Sequence, residues 1–267
     1  MHYSIDGLVV RETEAGENDK RITLLTAERG KITVSAKGAR SLKSKYMNAI
    51  SLFTYGNYEI AERAGFSWLA GASVTEPFYP IRDDIDRLAL AAYIVDVAGE
   101  LSGAEEPAEE LLRLTLNTLY AIANDLKPHA QIKAVYELRA MAMSGYMPML
   151  DRCGLCQKER SELMYLDIMN GMLKCEECIR KLNSNREITV AEDGASVILV
   201  PMNYGALSSA RYITQAPMSK VMSFSLEDES LKMLSKMSEC YLLHHLEKNF
   251  SSLDFYNSIK NIDVKGH

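Results

Sequence analysis

The sequence predicts an α+β protein: a small N-terminal β-barrel over residues 1–79, then an all-helical domain over 80–267 with a four-cysteine module inserted at about 150–181. Three observations carry this. Apolar residues alternate with period two as far as about residue 80, and they recur with a period near 3.6 from Pro80 onward. Between the later helices, Cys153, Cys156, Cys175 and Cys178 form two C-x-x-C pairs with eighteen residues between them.

The barrel comes first. His2 to Glu12, Lys20 to Ala27, Lys31 to Lys37, Ile50 to Glu62 and Phe66 to Thr75 mix β-branched and aromatic residues with alternating polarity. The breaks carry turn residues: Gly16-Glu17-Asn18-Asp19, Glu28-Arg29-Gly30 and Ala64-Gly65. Five short strands at the start of a longer chain suit an oligonucleotide/oligosaccharide-binding (OB) barrel, and an SH3-like barrel would give nearly the same pattern. Charge is uneven within it. From Arg29 to Tyr58 there are six basic residues, Arg29, Lys31, Lys37, Arg40, Lys43 and Lys45, and no acid. The stretch Lys37 to Lys45 has little apolar content and reads as an exposed loop after a strand, able to track phosphates or simply to be solvated. Tyr46, Phe53, Tyr55 and Tyr58 can stack bases where they face outward, and alternation lets only some of them do so.

Helices follow. Asp83 or Asp84 can cap one whose face carries Ile85, Leu88, Ala92 and Val95. A second has Pro107 in its first turn beside Glu105, Glu106, Glu109 and Glu110, which suit the positive end of the helix dipole. Pro128 opens a third that runs to Ser144, with Gly145 as its C-cap. After the cysteines, Glu187 to Val200 reads as a hairpin or an irregular connection. The chain then returns to helix over Met202 to Ile213, Glu227 to Glu247 and Leu253 to Ile259. Leu231, Leu234, Ser238, Tyr241, Leu242 and His245 form one stripe of the long helix.

Four thiolates close a tetrahedron and leave no open position, so the cysteine spacing predicts a structural zinc, one per chain. A pair of disulfides would need an oxidising compartment, and a redox dithiol would use one C-x-x-C before a helix. The N-terminus, Met1-His2-Tyr3-Ser4-Ile5-Asp6, has no basic segment followed by an apolar stretch, so no secretory signal is visible and a cytoplasmic protein is expected. Apolar residues make up 47% and charged residues 25%, as in ordinary soluble domains. No apolar run is long enough to span a membrane. The net charge of −6 argues against a uniformly basic nucleic-acid coat, although the local distribution matters more than the sum. There is no Gly-rich phosphate loop, Gly-x-Ser-x-Gly elbow or His-Glu-x-x-His, so no enzyme is expected.

Lys37-Gly38-Ala39-Arg40 after three strands, Tyr136-Glu137-Leu138-Arg139 and Gly145-Tyr146-Met147-Pro148 leading into the cysteines, and Ser252-Leu253 near the end make the order of parts distinctive. Over essentially its full length the chain resembles the RecO family of bacterial DNA repair and recombination mediators. The resemblance implies an OB domain, a helical domain with an embedded zinc element, and a nucleoid-associated protein without enzymatic turnover. It also implies binding to single- and double-stranded DNA, annealing of complementary strands, pairing with RecR, and engagement of the single-stranded-DNA-binding protein so that RecA can load. On the residues, the expected DNA path is Arg29, Lys31, Lys37, Arg40, Lys43 and Lys45. The tail of that single-strand binder is short, acidic and ends in apolar residues, so its receptor should be an apolar groove with a rim cation. The helices Gln131 to Met143 and Leu231 to Leu246 are candidates, with Lys133, Arg139 or Lys232 at the rim. A pure interaction scaffold is the competing reading.

Overall fold

A computed structural model describes residues 1–41, 44–184 and 198–263. Strands β1 (His2–Ala15), β2 (Asp19–Thr26), β3 (Gly30–Ala36), β4 (Tyr55–Arg63) and β5 (Phe66–Glu76) close into a barrel in the order β1-β2-β3-β5-β4, with β4 returning to β1. A simple meander would put β3 beside β4. Here β3 instead meets β5 in parallel, at Ser35 and Trp68, and this Greek-key closure marks the OB barrel. Alternation sends Ile5, Val9, Ile22, Leu24, Ile32, Val34, Ile60 and Leu69 inward to one buried core.

The chain divides into two compact units whose boundaries differ from the change in period near residue 80: Met1–Leu126 with Phe250–His267, and Lys127–Asn249. In the first, α1 (Ile85–Leu101) packs on β1, and α2 (Glu109–Ala123) packs on α1 and β2. These helices account for the burial of Leu8, Val10 and Leu25 on the outer side of the barrel. Asp84 caps α1, accepting from the Arg87 N–H at 2.9 Å. α1 is apolar nearly all round because α7 (Ser251–Asp263), with Leu253 and Tyr256 buried, covers a further face, and Phe250 just before it packs edge-on against Tyr93. Pro107 precedes the second helix rather than entering its first turn. The 102–106 link crosses the β2–β3 turn so closely that a Cβ at Gly30 (φ 56°) would lie 2.3 Å from the Glu106 carbonyl oxygen. Glycine is required there on both counts.

In the second unit, α3 (His129–Met143) is packed by α5 (Tyr204–Gln215) and α6 (Asp228–Leu246). A four-stranded sheet accompanies them, ordered β6-β8-β7-β9 from β6 (Met149–Cys153), β7 (Met164–Asp167), β8 (Met172–Cys175) and β9 (Leu199–Met202), with α4 (Glu176–Ser184) after β8. Met202 therefore ends a strand instead of starting a helix. Of the connection expected over Glu187 to Val200, the part up to 197 lies outside the described residues.

Candidate nucleic-acid interface and metal centre

The Lys37 to Arg40 segment is shaped by its neighbours. Gly38 takes a positive φ of 64° and donates its N–H to Asp19 Oδ1 at 2.8 Å, while Ala39 is small enough to tuck into the barrel core. Arg40 turns back on the β1–β2 connection, donating to the Gly16 carbonyl at 3.1 Å and pairing with Glu14 at 3.1 Å. This pair is solvent-exposed and holds Arg40 only weakly. Lys37 is exposed and makes no ion pair among the described residues. Lys43 lies outside them. Lys45 is exposed, with its ammonium 4.8 Å from the centre of the Tyr46 ring.

Arg29 and Lys31 are placed differently from the loop cations. The Arg29 guanidinium is held by Glu105 at 2.7 Å and Glu62 at 3.3 Å, lies over the Tyr3 ring, and has its pKa raised chiefly by the Glu105 bond. Lys31 Nζ donates to the Gly99 carbonyl in the last turn of α1 at 2.6 Å, where a cation suits the helix dipole. Both are structural contacts of the first unit. Among the aromatics, Phe53 and Tyr58 are core, the Tyr58 hydroxyl donating to the Ala49 carbonyl at 2.7 Å, and Tyr46 and Tyr55 are half-buried.

The strand register assembles a surface that composition alone does not reveal. Arg21 on β2 is paired with Ser35 on β3, which is paired with Trp68 on β5; residues opposite one another share a face. Arg21 is exposed and Trp68 half-buried, and at the β4–β5 turn Arg63 and Phe66 are exposed, Phe66 at 75%. The result is a row of cations and flat rings on the outer barrel wall. Its signal in the sequence is phase: Arg21 and Trp68 adjoin the inward Ile22 and Leu69 and so must point out.

In the second unit the four cysteine sulfurs lie within 4.8 Å of one another and can hold one metal ion. Cys153 ends β6, Cys156 sits in the following turn, Cys175 ends β8 and Cys178 lies in the first turn of α4. The Cys156 and Cys175 sulfurs are 3.6 Å apart, close to the edge of about 3.8 Å that a tetrahedron of 2.3 Å zinc–sulfur bonds requires. All four are free thiols, which sets aside the disulfide alternative for this arrangement. Burial raises the Cys153 pKa, but backbone N–H groups of Cys156, Cys175 and Leu155 donating to its sulfur reverse this and bring it down to about 6. Burial and the neighbouring sulfurs push Cys178 up. Arg211 of α5, which the sequence does not single out, donates to the carbonyls of Leu150, Asp151 and Glu159 at 2.7, 2.7 and 3.1 Å and so fixes the module. The nearby cations are mostly paired: Lys158 with Glu177, Arg180 with Glu176, and Lys174 with the buried Asp167.

Two of the three expected rim cations are not at a rim. Lys133 is buried, with Nζ 2.8 Å from both Glu137 and Glu239. Burial lowers its pKa, yet the two carboxylates more than offset that and leave it raised. Arg139 donates to the Ile213 and Thr214 carbonyls at the end of α5, at 3.2 and 2.7 Å. Lys232 alone is exposed.

Comparison with known proteins places both halves of the chain. Residues 1–78 match the family model "Recombination protein O N terminal", and residues 82–254 match "Recombination protein O C terminal". The chain is 30% identical to the DNA repair protein RecO of Acetivibrio thermocellus over 98% of its own length and 99% of the relative's. It is 27% identical to the RecO protein of a Thermoanaerobacter species over 96% of its own length and 98% of the relative's. With the Myxococcus xanthus RecO protein the identity is 29%, over 95% of this chain and 96% of the relative.

Proposed function

The chain belongs to the RecO family of DNA repair proteins, and on that premise we propose that it is a non-enzymatic mediator that binds single- and double-stranded DNA and anneals complementary strands. With RecR, it helps load RecA onto DNA coated by single-stranded-DNA-binding protein, acting in the cytoplasm at the nucleoid. The observation that carries this reading is the outer barrel wall, where strand register lines up Arg21 with Trp68 and the β4–β5 turn exposes Arg63 and Phe66, with the exposed cations Lys37, Arg40 and Lys45 on the same barrel. Cations neutralise phosphates and rings stack bases, and neither contact depends on sequence. Arg29, engaged by Glu62 and Glu105, and Lys31, engaged by the Gly99 carbonyl, are left out of the proposed DNA path. The four cysteines hold one structural zinc. The soft, closed set of four sulfurs supports that metal, and when bound it would lock the β6 turn to the start of α4. For the tail of the single-strand binder, exposed Lys232 on α6 is the rim cation.

Annealing tests the reading. With complementary fluorescent oligonucleotides, the protein should accelerate pairing well above the spontaneous rate. The Lys37→Ala/Arg40→Ala/Lys43→Ala/Lys45→Ala variant should lose most of that acceleration while remaining folded, since an exposed loop carries little of the core. Full annealing by the variant would remove the loop from the path. No DNA binding by the parent protein would leave only the scaffold reading.

A further inference from the structure

Farther along β5 from Trp68, Lys45 and Tyr46 of the segment before β4 border a cleft of about 350 Å³. Lys45, Tyr46, Asn57, Glu59, Gly71 and Ser73 line it. Two local features make this cleft. A β-bulge falls at Ala70, because pairing steps from Glu59 with Gly71 to Ile60 with Leu69, and the Ala70 carbonyl accepts from the Tyr46 hydroxyl at 2.6 Å. That bond ties the loop over the sheet. Next to it Gly71 has no side chain, and a Cβ there would lie 2.5 Å from Glu59 Oε2, so the Glu59 carboxylate occupies the space over the glycine.

The polar groups differ in what they leave open. Asn57 is used within the sheet, donating to Asp6 at 2.8 Å and accepting from Ser4 at 2.5 Å. Glu59 makes no hydrogen bond or ion pair among the described residues and is exposed to the cleft. An ionised carboxylate only accepts, and it accepts best from two parallel N–H donors. It also repels phosphate, so a nucleotide entering here must place its base at Glu59 and its phosphate at the Lys45 ammonium. Guanine alone among the bases presents two adjacent N–H donors, N1–H and the N2 amino group, on its Watson–Crick edge. Only an unpaired strand exposes that edge.

We propose that this cleft is a guanine subsite for single-stranded DNA, in which Glu59 accepts from N1–H and N2–H and Lys45 neutralises the phosphate of the same nucleotide. The proposal rests on the DNA-binding reading above and adds a base preference to it. It also gives annealing a direction. Because the site reads the edge that pairing consumes, a guanine that finds its cytosine leaves the cleft, and the duplex is released while unpaired strand is retained.

The test uses the full chain and three fluorescent oligonucleotides: all-thymidine, and the same with one central guanosine or one central inosine, which lacks the N2 amino group. The guanosine strand should bind about tenfold more tightly than all-thymidine, with inosine between them. Glu59→Gln should remove the difference while keeping all-thymidine binding. Gly71→Ala, whose added Cβ displaces the carboxylate without changing its charge, should do the same. Equal wild-type affinity for the three strands, with all-thymidine binding still salt-dependent, would overturn the subsite and leave the general reading standing. A preference that survives in both variants would overturn it too. Absence of salt-dependent binding to any strand would overturn the reading beneath it as well.

Discussion

Removing the Lys133 ammonium should destabilise the second unit heavily and in a pH-dependent way. The Lys133 side chain is 2% exposed, Glu137 is 0% and Glu239 is 23%, with both carboxylates 2.8 Å from Nζ. The Ser238 hydroxyl donates to the other Glu137 oxygen at 2.6 Å. Lys133→Met keeps the volume and the helix propensity and deletes only the charge. Glu239 can turn to water, but Glu137 is left ionised and buried beside a hydroxyl, a loss of about 3–5 kcal/mol. The variant can limit this by protonating Glu137, whose folded pKa then rises above the unfolded value of about 4.3. A raised pKa gives stability that is present at low pH and lost as pH rises through it, so the deficit should be smaller near about pH 5 than near about pH 8. In the parent protein the raised Lys133 pKa works in the alkaline range: its contribution is full below about pH 10.4 and fades as pH climbs through the folded value. Urea unfolding followed by far-ultraviolet circular dichroism measures the loss. Trp68 is the only tryptophan and lies in the first unit, so its fluorescence is an internal control that should not move. Lys133→Met/Glu137→Leu should recover most of the stability. A single variant within about 0.5 kcal/mol of the parent, or a deficit that ignores pH, would refute the reasoning.

Metal analysis of the purified protein should give close to one zinc per chain, and Cys175→Ser should lose it and unfold the β7–β8 region at lower temperature. A metal-free protein with unchanged unfolding would count against that. Trp68→Ala should weaken single-strand binding by about 1–3 kcal/mol across base sequences, and the parent's tryptophan emission should change on binding. Unchanged emission at saturation would put Trp68 off the path.

What the sequence made legible is what depends on local pattern. Alternation located five strands, the shift in period located the helices, Asp83 and Asp84 announced a cap that Asp84 supplies, and the cysteine spacing announced a four-sulfur cluster. What it hid depends on partners far along the chain. Arg29 looks like part of a basic run until Glu105, seventy-six residues on, is found holding it. Lys133 looks like a surface lysine on an amphipathic helix because Glu239 arrives only with α6. Phe53 and Tyr58 read as possible stacking rings, yet the turn at Phe53 (φ 69°) and the inward phase of β4 make both core. The Arg21, Ser35 and Trp68 row needs the parallel β3–β5 pairing, which no strand pattern announces. The strands β6 to β9 around the cysteine cluster are too short, at four or five residues, to show a period.

The most direct test of the account is the salt dependence of single-strand binding. If Lys37, Arg40, Lys43 and Lys45 lie along the DNA backbone, each neutralises about one phosphate and contributes about 0.7 to the slope of log affinity against log salt. The quadruple alanine variant should then bind more weakly on every base sequence, with a slope flatter by up to about three. A variant that keeps the parent slope would contradict the account, for the loop would then be solvated and the DNA would pass elsewhere.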